Sequence, residues 1–202
     1  DTAVTRTRIS IPRRRHDLIS RQRLLDLLNQ LVDTKLILIT APAGYGKTSL
    51  LVDFAAQTSY PVCWYTVNAR DVDPQRFIHN LVSALAVQFP RFGQRTLSAL
   101  KSTRGTLDLD YMATMIINDL YDHVPEHFLL VLDDYYLVND SAPIRSFISH
   151  FIQEVDENCH VILTSRILLS LPVIALMAGR SEVGGLDFED LAFQEDEIRQ
   201  LF

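Results

Sequence analysis

Few features of this chain point to cysteine, metal or membrane chemistry, and each absence removes a class of function. There are two cysteines in 202 residues and no C-x-x-C spacing, so neither a disulfide framework nor a thiolate zinc site is written into it. Cys63 and Cys159 each fall at or beside an apolar strand and are expected as buried, reduced thiols. The six histidines are scattered, which speaks against a protein-built metal centre. Gly-x-Ser-x-Gly is absent, and no Ser-His-Asp or Cys-His arrangement emerges. The N-terminus is polar and basic, with no apolar h-region, and the apolar stretch from Leu168 to Ala178 is broken by Ser170 and Pro172. It is too short to span a bilayer, so no membrane partner and a cytoplasmic location are expected.

Positive charge is also scarce. Nineteen Lys and Arg face 25 Asp and Glu, for a net charge of −6 and a pI near 5.4. A surface of that balance does not attract a duplex, and direct nucleic-acid binding by this segment is not expected. The exception is the start of the chain, where Arg6, Arg8, Arg13, Arg14, Arg15 and His16 read as a solvated basic arm over residues 1–19. No repeat period or low-complexity run interrupts the residues after the arm. The first residue is not Met, and the last helical segment stops on an apolar residue without a cap, which is expected of a piece of a longer multidomain polypeptide.

What is present is a 48% hydrophobic chain, enough to bury one sizeable core and too short for two full domains. Lys35 to Thr48 reads as an apolar strand running into a glycine-containing loop and then a helix, with Leu50, Leu51, Phe54 and Ala55 at helical spacing behind it. Ala41-x-x-x-x-Gly46-Lys47-Thr48 is a Walker A pattern with Ala in place of its first Gly. Gly44 and Gly46 allow successive backbone N–H groups to turn inward, and the helix that begins near Lys47 adds the positive end of its dipole. The loop residues Pro42, Ala43, Gly44, Tyr45, Gly46, Lys47, Thr48 and the adjoining Ser49 are therefore the candidate nucleotide-binding set. Lys47 is expected to carry charge to the β- and γ-phosphates and Thr48 to ligate Mg²⁺. Asn-Lys-x-Asp is absent, since none of Lys35, Lys47 or Lys101 follows an Asn, and ATP or ADP is favoured over guanine nucleotides.

Periodicity orders the rest. A short amphipathic helix over Ser20 to Leu31 precedes the first strand, within an adenine-side segment of residues 20–34, and the core runs over residues 35–202. Pro61 to Val67 reads as the second strand. Asp73-Pro74 then starts a helix whose buried face is Phe77, Leu81, Ala84 and Leu85. A short helix between loops is expected in Phe89 to Thr106, and a longer one over Leu109 to His123. His127 to Leu132 is a strand ending in Asp133-Asp134, Ser141 to Val155 a helix, and Cys159 to Thr164 the fourth strand. A helix near Leu171 to Ala178, a weak strand around Glu182 to Leu186 and a helix from Glu195 to Phe202 complete the pattern. Apolar strands alternating with helices predict an α/β fold with a parallel sheet covered on both faces.

Three further groups join the loop. Phe128-Leu-Leu-Val-Leu-Asp133-Asp134 has the form of a Walker B strand. Asp133 would hold Mg²⁺ through water, and Asp134 could orient or deprotonate an attacking water. Arg166, at the end of Val161-Ile-Leu-Thr164-Ser165, could reach a γ-phosphate. Asp71 and Asp73 could support the magnesium water shell, although capping the next helix is the simpler reading.

On these residues the chain resembles the nucleotide-binding domain of STAND ATPases, specifically the MalT-like large LuxR-family transcriptional regulators. The stretches that carry the resemblance are Arg13 to Leu25, Ala41-Pro-Ala-Gly-Tyr-Gly-Lys-Thr48, Trp64-Tyr65, Asp71 with Arg76-Phe77, Val131-Leu-Asp-Asp-Tyr135, Thr164-Ser-Arg166 and Leu191-Ala-Phe-Gln-Glu195. The resemblance implies a three-layer P-loop fold of the ASCE type, with a five-stranded parallel sheet in the order 5-1-4-3-2. It implies an ATP/ADP switch with slow hydrolysis, self-association in the full-length protein, and DNA binding only through a further C-terminal domain. It places Ile19, Arg21 and Arg23 over the adenine and ribose. An AAA+-like motor and a non-hydrolysing module stabilised by nucleotide are the alternatives. Two departures stand out: Asn68 where many relatives carry Asp, and Gly184-Gly185 in the last strand, which is expected to distort it.

Overall fold

The computed structural model describes residues 4–16, 19–103 and 105–199. Five strands form one parallel sheet: β1 (Leu36–Thr40), β2 (Val62–Thr66), β3 (Phe128–Asp133), β4 (Cys159–Ser165) and β5 (Val183–Leu186). Their spatial order is β2-β3-β4-β1-β5, the expected 5-1-4-3-2 read from the other edge. β4 thus separates the strand that leads to Lys47 from the strand that ends in Asp133, with Thr40 paired to Ser165 and Leu132 to Leu163.

Strand side chains alternate between two cores, as a period of two requires. Ile37, Ile39, Trp64, Leu129, Val131 and Ile162 pack with Leu24, Leu25 and Leu28 of α1 (Gln22–Leu31) and with Leu50, Leu51 and Phe54 of α2 (Lys47–Gln57). Their neighbours Cys63, Tyr65, Leu130, Leu132, Val161 and Leu163 face the opposite core. There they meet α3 (Pro74–Gln88), α4 (Gln94–Ser102), α5 (Leu109–His123), α6 (Ala142–Glu154) and α7 (Pro172–Gly179). Both cysteines are buried free thiols, pushed up from their ordinary pKa by desolvation. No helix among the described residues is long and apolar enough to cross a membrane.

The caps follow the chemistry of the sequence. Asp73 accepts a bond from Arg76 N at 3.0 Å and Pro74 opens α3, since proline lacks a donor that the first turn could not use. Asp108 does the same for α5, accepting from Tyr111 N. After β5, short helices α8 (Phe188–Leu191) and α9 (Glu195–Arg199) close the described chain. The part of the last expected helix from 200 to 202 lies outside the described residues.

Two expectations need correction. β5 is not distorted: Val183 to Leu186 pair in continuous register with Leu36 to Ile39. A Cβ at Gly184 would stand 2.5 Å from Leu31 Cδ2, and one at Gly185 would stand 2.6 Å from Leu38 O. The glycines let α1 and β1 approach β5 closely. Nor is the basic arm simply solvated. Arg8, in a 3-10 turn over Arg6–Arg8, donates through Nε and Nη2 to Thr66 O at 3.0 and 2.9 Å and is paired with Asp71. Arg14 Nε donates to Asp53 Oδ1 at 2.8 Å. Buried carboxylates on α2 and beside α3 need partners, and the arm supplies them.

Candidate functional site

β1 ends at Thr40, and Ala41 N donates to Ser165 O at 3.1 Å, so the chain leaves the sheet beside the end of β4. The loop then runs to Gly46, which caps α2 and accepts from Leu50 N at 2.8 Å. Gly44 and Gly46 have φ of 87° and 76°, a left-handed geometry that only glycine adopts at low cost. Pro42, Ala43, Gly44 and Gly46 are exposed, whereas Tyr45 and Ser49 are half-buried. Lys47 is the buried member: its Nζ donates to Ala41 O and Pro42 O, the latter at 2.9 Å. Desolvation lowers its pKa, Asp134 and Asp133 oppose that shift, and Arg166 adds to it.

Thr48 and Asp133 come together from opposite ends of the pattern. Thr48 Oγ1 donates to Asp133 Oδ2 at 3.0 Å and lies 3.2 Å from Oδ1. Thr164 Oγ1, on the intervening strand, donates to Asp133 Oδ1 at 2.7 Å and accepts from Asp134 N at 2.8 Å. The carboxyl is 2% exposed. Burial raises its pKa, and Asp134 raises it further against the two hydroxyl bonds. A carboxylate and a hydroxyl converging in this way form an all-oxygen donor set suited to a hard cation. The chain around Thr164 shows how the strand order aims Asp133 at Thr48, a role that sequence reading does not give to Thr164. A Thr at the end of the strand next to the acidic one is the available signal.

Asp134 and Arg166 complete the same cavity. A space of about 300 Å³ is lined by Ala43, Gly44, Gly46, Lys47, Thr48, Ser49, Asp134 and Arg166. Asp134 sits at φ 58°, the turn out of β3, and the Arg166 guanidinium lies 5.1 Å from the centroid of the Tyr136 ring. Asp71 and Asp73 are not among the lining residues. Asp71, fully buried, accepts from Arg8, from Arg76 Nε at 3.0 Å, from Asn80 Nδ2 at 3.2 Å and from Asn68 N at 2.8 Å. Its work is structural, and Asn68 joins it in a reciprocal cap of the 3-10 turn Ala69–Val72.

Arg21 and Arg23 have other partners than open space. Arg21 donates to Leu191 O, Ala192 O and Glu197 Oε2, each at 2.9 Å, and its guanidinium stacks 4.4 Å from the centroid of Phe193. Arg23 donates to Asp190 O at 2.9 Å. Ile19 is half-buried just before them. The two arginines clasp the segment after β5 against the start of α1. That segment in turn walls an apolar cavity of about 240 Å³ beside the loop, formed by Gly44, Tyr45, Leu191, Ala192 and Phe193. Leu191 and Phe193 carry no site signal in the sequence, because only the fold brings them to the loop.

Comparison with known proteins agrees with this geometry. The family profile described as "Nephrocystin 3, N-terminal" matches residues 15–166. The HTH-type transcriptional regulator MalT of Serratia proteamaculans is 32% identical over 198 residues, which is 97% of this chain and 21% of the relative. MalT of Yersinia enterocolitica gives 32% over 197 residues, with the same shares. The chain thus spans about one fifth of the length of these curated relatives. Among solved structures, a Walker-type ATPase of Pyrococcus abyssi superposes with a TM-score of 0.55 at 17% identity, over 93% of this chain and 58% of that one. A STAND protein with a tetratricopeptide repeat sensor from Pyrococcus horikoshii gives 0.55 at 16%, over 94% and 25%. The chain belongs to the Nephrocystin 3 N-terminal family, is similar in sequence to about one fifth of the MalT regulators, and shares its fold with P-loop ATPases.

Proposed function

We propose that this chain is an ATP- and ADP-binding regulatory switch with slow hydrolysis, acting as the nucleotide-binding unit of a signal-responsive transcriptional regulator. The observation that carries the reading is the single cavity that unites the Gly44–Gly46 cradle and Lys47 with Asp134 and Arg166, above the Thr48–Asp133 pair. Backbone N–H groups of the loop receive the phosphate chain, and Lys47 exchanges its two loop carbonyls for β- and γ-oxygens. Thr48 and, through water, Asp133 would hold Mg²⁺, which would supply positive charge against the phosphates. Asp134 orients the attacking water, while Arg166 meets the terminal phosphate and distinguishes ATP from ADP. The base, a flat apolar plate, suits the cavity of Tyr45, Leu191 and Phe193, so Arg21 and Arg23 act on it by holding that wall. Self-association and DNA recognition belong to the full-length protein, the latter through a further domain, as the name of the MalT relatives suggests.

Titration calorimetry with ADP and ATP tests the reading. Lys47→Ala should weaken both nucleotides tenfold or more, since a charge-assisted contact contributes about 1.5–3 kcal/mol. Equal affinities in parent and variant would remove the phosphate-loop assignment. Release of phosphate in a single turnover separates a slow switch from a module that only stores nucleotide.

A further inference from the structure

Three consecutive arginines of the arm, Arg13, Arg14 and Arg15, line a second cavity of about 280 Å³ together with Thr48, Ser49 and Val52. It shares Thr48 and Ser49 with the loop cavity but none of Lys47, Asp134 or Arg166. Those three are the groups assigned above to the terminal phosphates, so the second cavity adjoins the loop through Thr48 and Ser49 on a side that they do not line.

The arm is held there. Asp53 on α2 accepts from Arg14 Nε at 2.8 Å and from Ser20 Oγ at 2.7 Å, on separate carboxylate oxygens. Arg14 is thereby neutralised, whereas Arg13 and Arg15 have no carboxylate partner among the described residues. Among the described residues no acidic side chain lines this cavity, in contrast to the loop cavity with its Asp134. Two guanidinium groups, which only donate, stand beside two hydroxyl-bearing residues, which can donate as well, and no carboxylate among the described residues pairs with either guanidinium. In a chain of net charge −6, that concentration is local to the site.

We propose that Arg13 and Arg15, with Thr48 and Ser49, form a second anion subsite for a phosphate group beyond those held by the loop, carried on the ribose of the bound nucleotide or supplied as free phosphate. The inference rests on the nucleotide reading above. It makes the site selective for ribose-phosphorylated nucleotides, or sensitive to phosphate when nucleotide is bound.

The test compares ADP with adenosine 3′-phosphate 5′-diphosphate and its 2′ isomer by calorimetry. A parallel arm adds inorganic phosphate to the ADP-saturated chain. The parent should bind one of the ribose-phosphorylated ligands about tenfold more tightly than ADP, as one further charge-assisted contact allows. In Arg13→Ser/Arg15→Ser that ratio should fall to near one. Arg13 and Arg15 are exposed, so the double variant should fold, which its far-ultraviolet circular dichroism would verify. Phosphate binding to the ADP-saturated parent, lost in the double variant, would identify free phosphate as the source. Equal affinity for ADP and both ribose-phosphorylated ligands, with no phosphate uptake, overturns the subsite and leaves the loop reading intact. Failure of the parent to bind ADP at all would take both down.

Discussion

At the scale of single residues, the site contains charges placed against their own interests. Asp133 is an ionisable group at 2% exposure whose nearest partners are two hydroxyls rather than a cation. Burying such a carboxylate costs stability unless something neutralises it. Asp133→Asn keeps an acceptor for Thr48 and Thr164 while removing the charge. It should raise the melting temperature of the nucleotide-free chain and abolish the additional stabilisation that Mg²⁺ gives with ATP, both read by thermal denaturation. If the variant melts lower than the parent, the two hydroxyl bonds compensate the charge in full. Arg166 tests the switch. Its side chain is exposed and stacked on Tyr136, so truncation leaves no buried partner unpaired. Arg166→Ala should weaken ATP binding more than ADP binding, because only a difference between ligands can shift a conformational equilibrium. Paired titrations showing equal losses would reduce Arg166 to a surface residue.

At the scale of elements, the two glycines of β5 differ in what surrounds them. The Cβ of a residue at 185 would press on Leu38 O, a backbone atom, and the Cβ of one at 184 on the end of the Leu31 side chain. Backbone cannot yield within a paired strand, whereas a leucine can change rotamer. Gly185→Ala should therefore cost about 1–3 kcal/mol in urea denaturation, and Gly184→Ala clearly less. The same contrast explains what is legible in the sequence. β1 to β4 announce themselves by apolar runs bounded by turn residues, and the helical pattern over Leu109–His123 has the same bounds as α5. The loop and Asp133 carry local patterns that need no tertiary information. Arg8 carries none, and neither its partner nor that of Arg21 is near in sequence: Arg8 meets Asp71 across 63 positions and Arg21 meets Leu191 across 170. A guanidinium read in sequence is a solvated charge until the fold delivers its acceptor. For the same reason, the weak β5 pattern suggests distortion, because the close neighbours that require glycine are distant in sequence.

For the whole molecule, acid should destabilise the fold in two stages. Burial holds His160 and His79 below the ordinary histidine value of 6.5. His160 accepts or donates at both ring nitrogens, 3.1 Å from Thr34 O and 2.9 Å from His127 Nδ1. With its Nδ1 donating to the carbonyl, its Nε2 must accept, and a second proton would face the His127 donor. A histidine depressed in this way binds fewer protons folded than unfolded, so its stability is intact above about 6.5 and declines as pH drops below it. Asp71 and Glu197 behave as lowered carboxylates. Desolvation pushes each upward but is outweighed by bonds from Arg8 and Arg21 respectively and from backbone N–H groups. Their contribution is present above the unfolded values of 3.8 and 4.5 and is lost as pH falls through the lower folded ones. Denaturation midpoints measured across pH should show both declines, and a flat profile between about 7 and 5 would rule out the histidine stage.

The arm has one more consequence, for how this sheet meets other molecules of its own kind. β2 is an outer strand, and an outer strand offers its unpaired carbonyls as a template for a neighbour. Here Gln88 Nε2 takes Val62 O at 3.1 Å, and Arg8 takes Thr66 O twice. Side chains from α3 and the arm thus occupy both ends of the strand's acceptor row. A chain shortened past Arg8 would keep its five strands but uncover one end of that row and leave Asp71 one cation short. Its expected failure is sticking edge to edge into insoluble assemblies rather than loss of fold, which sedimentation of the shortened and full chains would check.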